Sequence, residues 1–154
     1  MIDDLDAKIL SILQKNARIT NAEIARTIGL APSGVLERIR KLEKRGIVTG
    51  YRACLDSAKL GYCVTAFLFV RTDDRPGDIS TAHRLAEIPE VEEVHHIAGE
   101  DCYLVKLRCS GNEDLGRLLR EKIGPIEAVR STRTSVVMET IKEGGMLPVS
   151  ACSG

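Results

Sequence analysis

Apolar positions in the first fifty residues recur every three or four places, which is the spacing of one helix face. The first stripe of this kind consists of Leu5, Ile9, Ile12 and Leu13. Asp3, with Asp6 three residues later, suits the positive N-terminal end of a helix. The pattern therefore predicts a first helix along this stripe.

The segment "RITNAEIARTIGL" predicts a second helix with clear ends. Thr20 can cap its first turn, and Glu23, at the third helical position, completes a capping box. Ile19 can pack against Ile24 across this start. Gly29 is placed to end the helix in the left-handed conformation.

A third helix follows a tight turn and begins at Pro32, whose missing N–H would be unpaired there in any case. Its spacing predicts a buried stripe of Leu36, Ile39 and Leu42. Three short helices with a glycine-bearing turn before the third are typical of a helix-turn-helix, whose third helix enters the major groove of DNA. The residues expected to contact DNA are Ser33, Gly34, Glu37, Arg38, Arg40 and Lys41. Arg38 is expected to be a principal contact, to guanine or to phosphate.

The remaining hundred residues follow the order β-α-β-β-α-β. Strands are predicted over residues 62–71, 91–99, 102–109 and 126–138, and helices over residues 77–89 and 112–124. The run over 62–71 is almost continuously apolar, which predicts a strand covered on both faces. Helices on one face leave the other face of a four-stranded sheet uncovered, so we expect a second copy to cover it in a two-fold dimer.

Charge is unevenly distributed, although the chain of 154 residues is formally neutral. Residues 1–50 hold nine Lys and Arg against six Asp and Glu, whereas residues 51–154 hold 13 against 16. A local basic stretch favours a partner with phosphates, here double-stranded DNA. No apolar run reaches the ~20 residues needed to span a membrane, and the acidic N-terminus is unlike a secretory signal. We therefore expect a cytoplasmic protein without a membrane partner.

The cysteines and histidines show no metal-binding pattern. The cysteines lack a C-x-x-C pair, so all five are expected to be free thiols. They are Cys54, Cys63, Cys102, Cys109 and Cys152. His95 and His96 are adjacent, so on a strand they point to opposite faces and cannot share a metal ion. With no phosphate loop, nucleophile elbow or converging carboxylate pair, we expect no metal, no cofactor and no catalytic residue.

Three long segments carry a resemblance to a known family. They are "LDAKILSILQKNARITNAEIARTIGLAPSGVLERIRKLEKRGIVTGYRACLD", "AEIPEVEEVHHIAGEDCYLVKL" and "GPIEAVRSTRTSVVM". These segments resemble the Lrp/AsnC, or feast/famine, transcription regulators of bacteria and archaea. The resemblance implies an α+β chain with a winged helix-turn-helix of three helices over residues 1–50 and a linker strand over 51–61. It also implies a ferredoxin-like, ACT-like βαββαβ sandwich over 62–142, which dimerises and binds the effector, and leaves a flexible tail over 143–154.

The same resemblance implies a sequence-specific regulator that binds an amino acid or related metabolite between dimers, which assemble into tetramers or octamers. The implied effector-binding residues are Gly99, Glu100, Asp101, Cys102, Tyr103, Thr132, Thr134 and Ser135. On its residues alone, the turn "GED" is also consistent with a plain hairpin turn. Two residues depart from the family pattern: Ala31 replaces the usual serine cap of the recognition helix, and Cys102 stands where aspartate is common.

Two other functions stay open at this stage, besides a ligand-binding module that merely retains the helical domain and would show no salt-dependent DNA binding. Sirohaem decarboxylases share the two-domain arrangement, but their helix-turn-helix half is usually degraded. Here that half keeps its small residues and has five basic residues between Arg38 and Arg45. The second alternative is a regulator that responds to no effector, which the departure at Cys102 would explain.

Overall fold

The computed structural model describes residues 2–75 and 77–151, which form two compact units. The first unit contains residues 2–54 together with 142–151, and the second contains residues 55–141. Within the described residues, no helix is both long enough and apolar enough to cross a membrane. Cys54, Cys63, Cys102 and Cys109 are free thiols, and the same expectation for Cys152 lies outside the described residues.

The first unit contains three helices: α1 (Asp4–Lys15), α2 (Asn21–Ile28) and α3 (Pro32–Lys44). The predicted capping box of Thr20 with Glu23 is present. Asp3 and Asp6, expected only to suit the positive end of α1, form a second capping box. Gly29 ends α2 in the left-handed conformation, with φ at 73°. The core between the helices contains Ile9, Leu10, Ile24, Ala25, Val35, Ile39 and Leu42.

Helix α3 differs from its prediction in the residues it buries. Val35, Ile39 and Leu42 are buried, whereas Leu36 is 37% exposed. Val35 and Leu36 both stand one turn before Ile39, so helical spacing alone did not decide between them. The predicted stripe was therefore wrong at its first member, and the true stripe turns the helix so that a different set of side chains faces the solvent.

The predicted linker strand over 51–61 is not formed. The segment is irregular apart from a short 3-10 helix, Ala58–Leu60, and no strand occurs between α3 and residue 64. An extended segment becomes a strand only when a neighbour accepts and donates its backbone hydrogen bonds. Residues 51–61 have no such neighbour among the residues that the structure describes.

The second unit has the predicted order of strands and helices. Its elements are β1 (Val64–Thr72), α4 (Ser80–Ala86), β2 (Val91–His96), β3 (Tyr103–Cys109), α5 (Asn112–Leu118) and β4 (Val129–Val136). The strands form one antiparallel sheet in the order β2-β3-β1-β4. Helix α5 continues as a π-helical turn, Leu119–Ile123, and its N-cap, Gly111, supplies no side-chain cap. Helix α5 therefore begins without a side-chain cap, because glycine offers no side-chain acceptor.

The two faces of this sheet are covered unequally. On the face towards the helices, Ala66, Leu68 and Val70 of β1 are buried against Leu85, Leu115 and Leu118. On the other face, hereafter the open face, Phe67 and Phe69 are only half-buried. The expectation that β1 is covered on both faces is therefore not met within one chain.

The C-terminal segment packs in the first unit. The side-chain amide of Gln14 donates to the Leu147 carbonyl at 3.1 Å and accepts from the Leu147 N–H at 2.7 Å. Val149 packs against the core of the three helices. The tail was expected to be flexible, and the structure differs over these residues because Val149 is packed against the helices and Leu147 is bonded to Gln14. Leu147, Pro148 and Val149 form one wall of a groove whose other wall includes Leu10 and Leu13. That groove has a volume of about 560 Å³.

Candidate nucleic-acid and effector sites

The exposed face of α3 carries most of the residues predicted to contact DNA. Ser33, Glu37, Arg40 and Lys41 are exposed, and Gly34 is half-buried. Ala31 precedes the helix in an extended conformation without a side-chain cap, so the departure noted in the sequence leaves the helix start uncapped. Pro32 has no N–H, and no hydrogen-bond partner for the Ser33 N–H lies among residues 2–75 and 77–151. A free N–H at a helix N-terminus is a ready donor to a phosphate oxygen.

The basic side chains of α3 have different partners. Lys41 Nζ lies 2.7 Å from Glu37 Oε1, which lowers the pKa of Glu37 through the hydrogen bond and the positive charge. Among the described residues, Arg40 and Lys44 form no ion pair, and both are exposed. Their charges therefore stay available to a partner. Lys44 was not among the predicted contacts, although its place one turn after Arg40 on a basic helix was a usable signal.

Arg38 does not project freely from this face. Its Nη1 atom donates to Asp3 Oδ2 at 2.6 Å and to Asp6 Oδ1 at 2.7 Å. These two carboxylates raise the pKa of the Arg38 guanidinium, the Asp3 hydrogen bond most strongly. The Arg38 side chain is 30% exposed. Its expected position on the face opposite the core is therefore wrong, because burial of Val35 turns Arg38 towards α1.

The turn between β2 and β3 brings its two acidic side chains next to arginines. Arg133 Nη2 on β4 donates to Asp101 Oδ2 at 3.0 Å, and Arg71 Nη1 on β1 lies 3.9 Å from Glu100 Oε2. Arg133 also lies over the Phe69 ring, 3.9 Å from its centre. The turn is held to β1 by a hydrogen bond from the Cys102 N–H to the Val70 carbonyl at 2.9 Å. The acidic groups thus lie beside the paired strands β1 and β4.

The predicted effector residues do not all share one face of the sheet. Thr132 and Thr134 stand opposite Val70 and Leu68, and directly paired residues of neighbouring strands share a face. Both threonines therefore lie on the helix side. Ser135 stands opposite Phe67 and lies on the open face, as Arg133 does. The expected single cluster is divided by the sheet, with Arg133 as the polar group that sequence reasoning missed.

Of the predicted effector residues in this turn, Tyr103 is buried and Cys102 is half-buried. Tyr103 is 2% exposed and lies in the core on the helix side, where burial, followed by the charge of Asp74, raises the pKa of its hydroxyl. Its ring lies 5.3 Å from that of His96. The thiol of Cys102 is half-buried and contacts the Thr72 carbonyl at 3.7 Å. Of this turn, Gly99, Glu100 and part of Asp101 remain exposed to a ligand.

The histidine prediction agrees with the sheet register. His95 stands opposite Leu104 and His96 opposite Tyr103, so the two rings lie on opposite faces. Within the part of the chain that the structure describes, no three His, Cys, Asp or Glu side chains are grouped so as to hold a metal ion.

Together, the three-helix unit with its basic third helix and the four-stranded βαββαβ unit define a helix-turn-helix regulator with a second, sheet-based domain. Two family models match the chain: winged helix-turn-helix DNA-binding over residues 2–49 and the Lrp/AsnC ligand-binding domain over residues 65–147. The chain therefore belongs to the Lrp/AsnC family of transcriptional regulators, and the resemblance seen in the sequence is confirmed.

Relatives match along nearly the whole chain. The HTH-type transcriptional regulator FL11 of Pyrococcus furiosus is 35% identical over 150 residues, 97% of each chain. The leucine-responsive regulatory protein of Escherichia coli K12 is 33% identical, covering 96% of this chain and 92% of its own. A Neisseria meningitidis transcriptional regulator solved with L-methionine superposes with a TM-score of 0.91 at 29% identity, covering 96% of this chain and 97% of its own. A feast or famine regulatory protein of M. tuberculosis, also with L-methionine, gives 0.88 at 31% identity, covering 96% and 99%.

Proposed function

We propose that this regulator binds operator DNA as a homodimer through the exposed face of α3 and that an amino acid modulates the binding. The observation that carries the proposal is the N-terminal half of α3, where the Ser33 N–H and the half-buried Gly34 precede Arg40, and neither the Ser33 N–H nor Arg40 has a partner among the described residues. A helix N-terminus of this kind approaches the DNA backbone, and a basic residue two turns later reaches the groove. Ser33, Gly34, Glu37, Arg40, Lys41 and Lys44 are the proposed contacts.

The open face of the second unit supports dimerisation. Phe67, Phe69 and Leu104 lie on this face and are only half-buried within one chain. A contiguous apolar face on a soluble chain marks an interaction surface, and a second copy provides a matching face by two-fold symmetry. The dimer then fixes two α3 helices for half-sites about 10 base pairs, or a multiple, apart. Assembly of dimers into tetramers or octamers is part of the proposal.

The ligand is proposed to be an amino acid bound beside the turn between β2 and β3. Two structural relatives were solved with L-methionine, and this chain supplies both charges that an amino acid needs there. Asp101 and Glu100 offer carboxylates for the ammonium group, and Arg133 and Arg71 offer guanidinium groups for the carboxylate. The neighbouring strand, β4, carries three hydroxyl side chains. Ser135 lies on the open face, and Thr132 and Thr134 lie on the helix side.

The test uses the full chain and a duplex selected by the wild-type protein from a random pool. We expect affinity in fluorescence anisotropy to fall linearly with the logarithm of salt concentration, with a slope of about −0.9 for each phosphate contacted. Addition of L-methionine and other amino acids is then followed by thermal shift, where a saturating ligand at a hundredfold excess over Kd stabilises by ~2.7 kcal/mol. Absence of selectable DNA binding would refute the DNA part. A stable monomer in light scattering would refute the dimer.

A further inference from the structure

The geometry points to a positioning role for Arg38: we propose that it ties α3 to the N-terminus of α1 and thereby sets which face of α3 meets DNA, while Arg40 and Lys44 supply the charge contacts. This inference rests on the proposed DNA binding. Arg38 is the basic side chain of α3 that spans to another helix, bonding residues 32 and 35 positions earlier in the chain.

Arg38 pairs with the nearly buried carboxylate of Asp6, whose negative charge requires a neighbouring cation. The Asp6 side chain is only 12% exposed, and its Oδ1 atom lies 2.7 Å from the Arg38 guanidinium. A carboxylate removed from water is strongly unfavourable unless a cation or several donors stabilise it. Within residues 2–75 and 77–151, the other donor to Asp6 is the Asp3 N–H, at 3.4 Å. Arg38 is therefore committed to Asp6 by the cost of leaving that charge alone.

The cluster of Arg38, Asp3 and Asp6 also offers a phosphate no net positive charge of its own. Arg38 contributes one positive charge, whereas Asp3 and Asp6 contribute two negative charges. The net negative charge is adjacent to the guanidinium, so a phosphate gains little by approaching Arg38. Arg40 and Lys44 lie on the exposed side of the helix without an acidic partner among the described residues. The charge of Arg38 is thus already compensated by Asp3 and Asp6, whereas Arg40 offers a phosphate a charge that no described carboxylate compensates.

Two glutamine variants separate positioning from direct contact. We expect Arg38→Gln to lower the melting temperature and weaken binding to the selected duplex about tenfold, with the salt slope unchanged and binding to a scrambled duplex unchanged. Binding to both duplexes is measured well below the melting temperature of the protein, where the variant is folded. Destabilisation alone would therefore not produce a loss of selectivity between the two duplexes. We expect Arg40→Gln to keep the melting temperature and to reduce the salt slope by about 0.9 per contacted phosphate in each protomer.

A third variant leaves Arg38 in place and removes its partner. Asp6→Asn should resemble Arg38→Gln in melting temperature and in selectivity, whereas the matched control Asp4→Asn removes an equal charge from an exposed position on the same turn. If Arg38 contacts DNA directly, Asp6→Asn frees it and raises affinity for the selected duplex above that of Asp4→Asn. That result, or a reduced salt slope for Arg38→Gln at an unchanged melting temperature, overturns the proposal. If the wild type selects no duplex, the proposed function fails, and the melting temperatures still test the link to α1.

Discussion

Replacing Ala31 with serine should stabilise the first unit, because α3 begins without a side-chain cap. Ala31 already has the extended backbone of an N-cap residue, with φ at −75° and ψ at 145°. A serine hydroxyl there can accept from the N–H of the second or third helical residue, Ser33 or Gly34. The Gly34 N–H already donates to the Ala31 carbonyl at 3.0 Å, so the gain comes mainly from Ser33.

The magnitude follows from measured caps. A serine cap in place of alanine stabilises by about 0.5–2 kcal/mol, and the existing Gly34 bond places the expected gain near ~0.5–1 kcal/mol. In a unit of this size, 1 kcal/mol corresponds to about 4–8 °C in melting temperature. We therefore expect Ala31→Ser to raise the melting temperature of the first unit by about 2–8 °C.

The assay is thermal unfolding followed by circular dichroism at fixed protein concentration, with calorimetry to resolve the two units. Thr20→Ala is the matched control, because Thr20 Oγ1 accepts from the Glu23 N–H at 3.2 Å and caps α2. Its loss should lower the melting temperature by a similar amount. If Thr20→Ala destabilises as expected and Ala31→Ser leaves the melting temperature unchanged or lower, the reasoning about the start of α3 is wrong.

Three further outcomes are expected. Gln14→Ala should lower the free energy of unfolding by at most ~1 kcal/mol and the melting temperature slightly, because water can replace its two exposed bonds to Leu147. An effect no larger than that of Lys15→Ala would show that the Gln14 amide does not hold the tail. Acid should destabilise α2, because hydrogen bonds from Thr20 hold the pKa of Glu23 below its usual value. The resulting stability is present above pH ~4.5 and is lost as the pH falls through the lowered pKa. The melting temperature of Glu23→Gln should therefore fall less than that of the wild type between pH 6 and pH 3. Asp101→Ala should weaken the effects of L-methionine on assembly and on DNA affinity together, since both are linked by one coupling free energy. DNA binding without ligand should stay intact. If light scattering and anisotropy show that the two responses change separately, a shared site is contradicted.

Local features were determined by the sequence alone. The capping boxes at Asp3 and Thr20, the left-handed Gly29 and the missing cap at Ala31 each depend on residues within four positions of one another. Helix caps of this kind form between residues that are close in sequence, so they do not depend on tertiary packing. The order of strands and helices in the second unit was equally readable, because strand and helix patterns differ in period.

Contacts between distant residues were decided by the tertiary structure. Val35 and Leu36 have equivalent helical spacing to Ile39, and the space left by α1 and α2 selects Val35 for the core. That choice turns Arg38 towards Asp3 and Asp6, which no pattern within α3 contains. The burial of Val35 is therefore the reason that we propose Arg40, and not Arg38, as the principal charged contact to DNA.

The effector residues show the same limit. Alternation along β4 predicts that Thr132 and Thr134 share a face, but only pairing with β1 shows that this face is the helix side. The pairing also brings Arg133 to Asp101, 32 residues away in the chain. Likewise, the bond from Gln14 to Leu147 spans 133 residues. Sequence patterns determine which side chains share a face, and the packing of distant segments determines what each face meets.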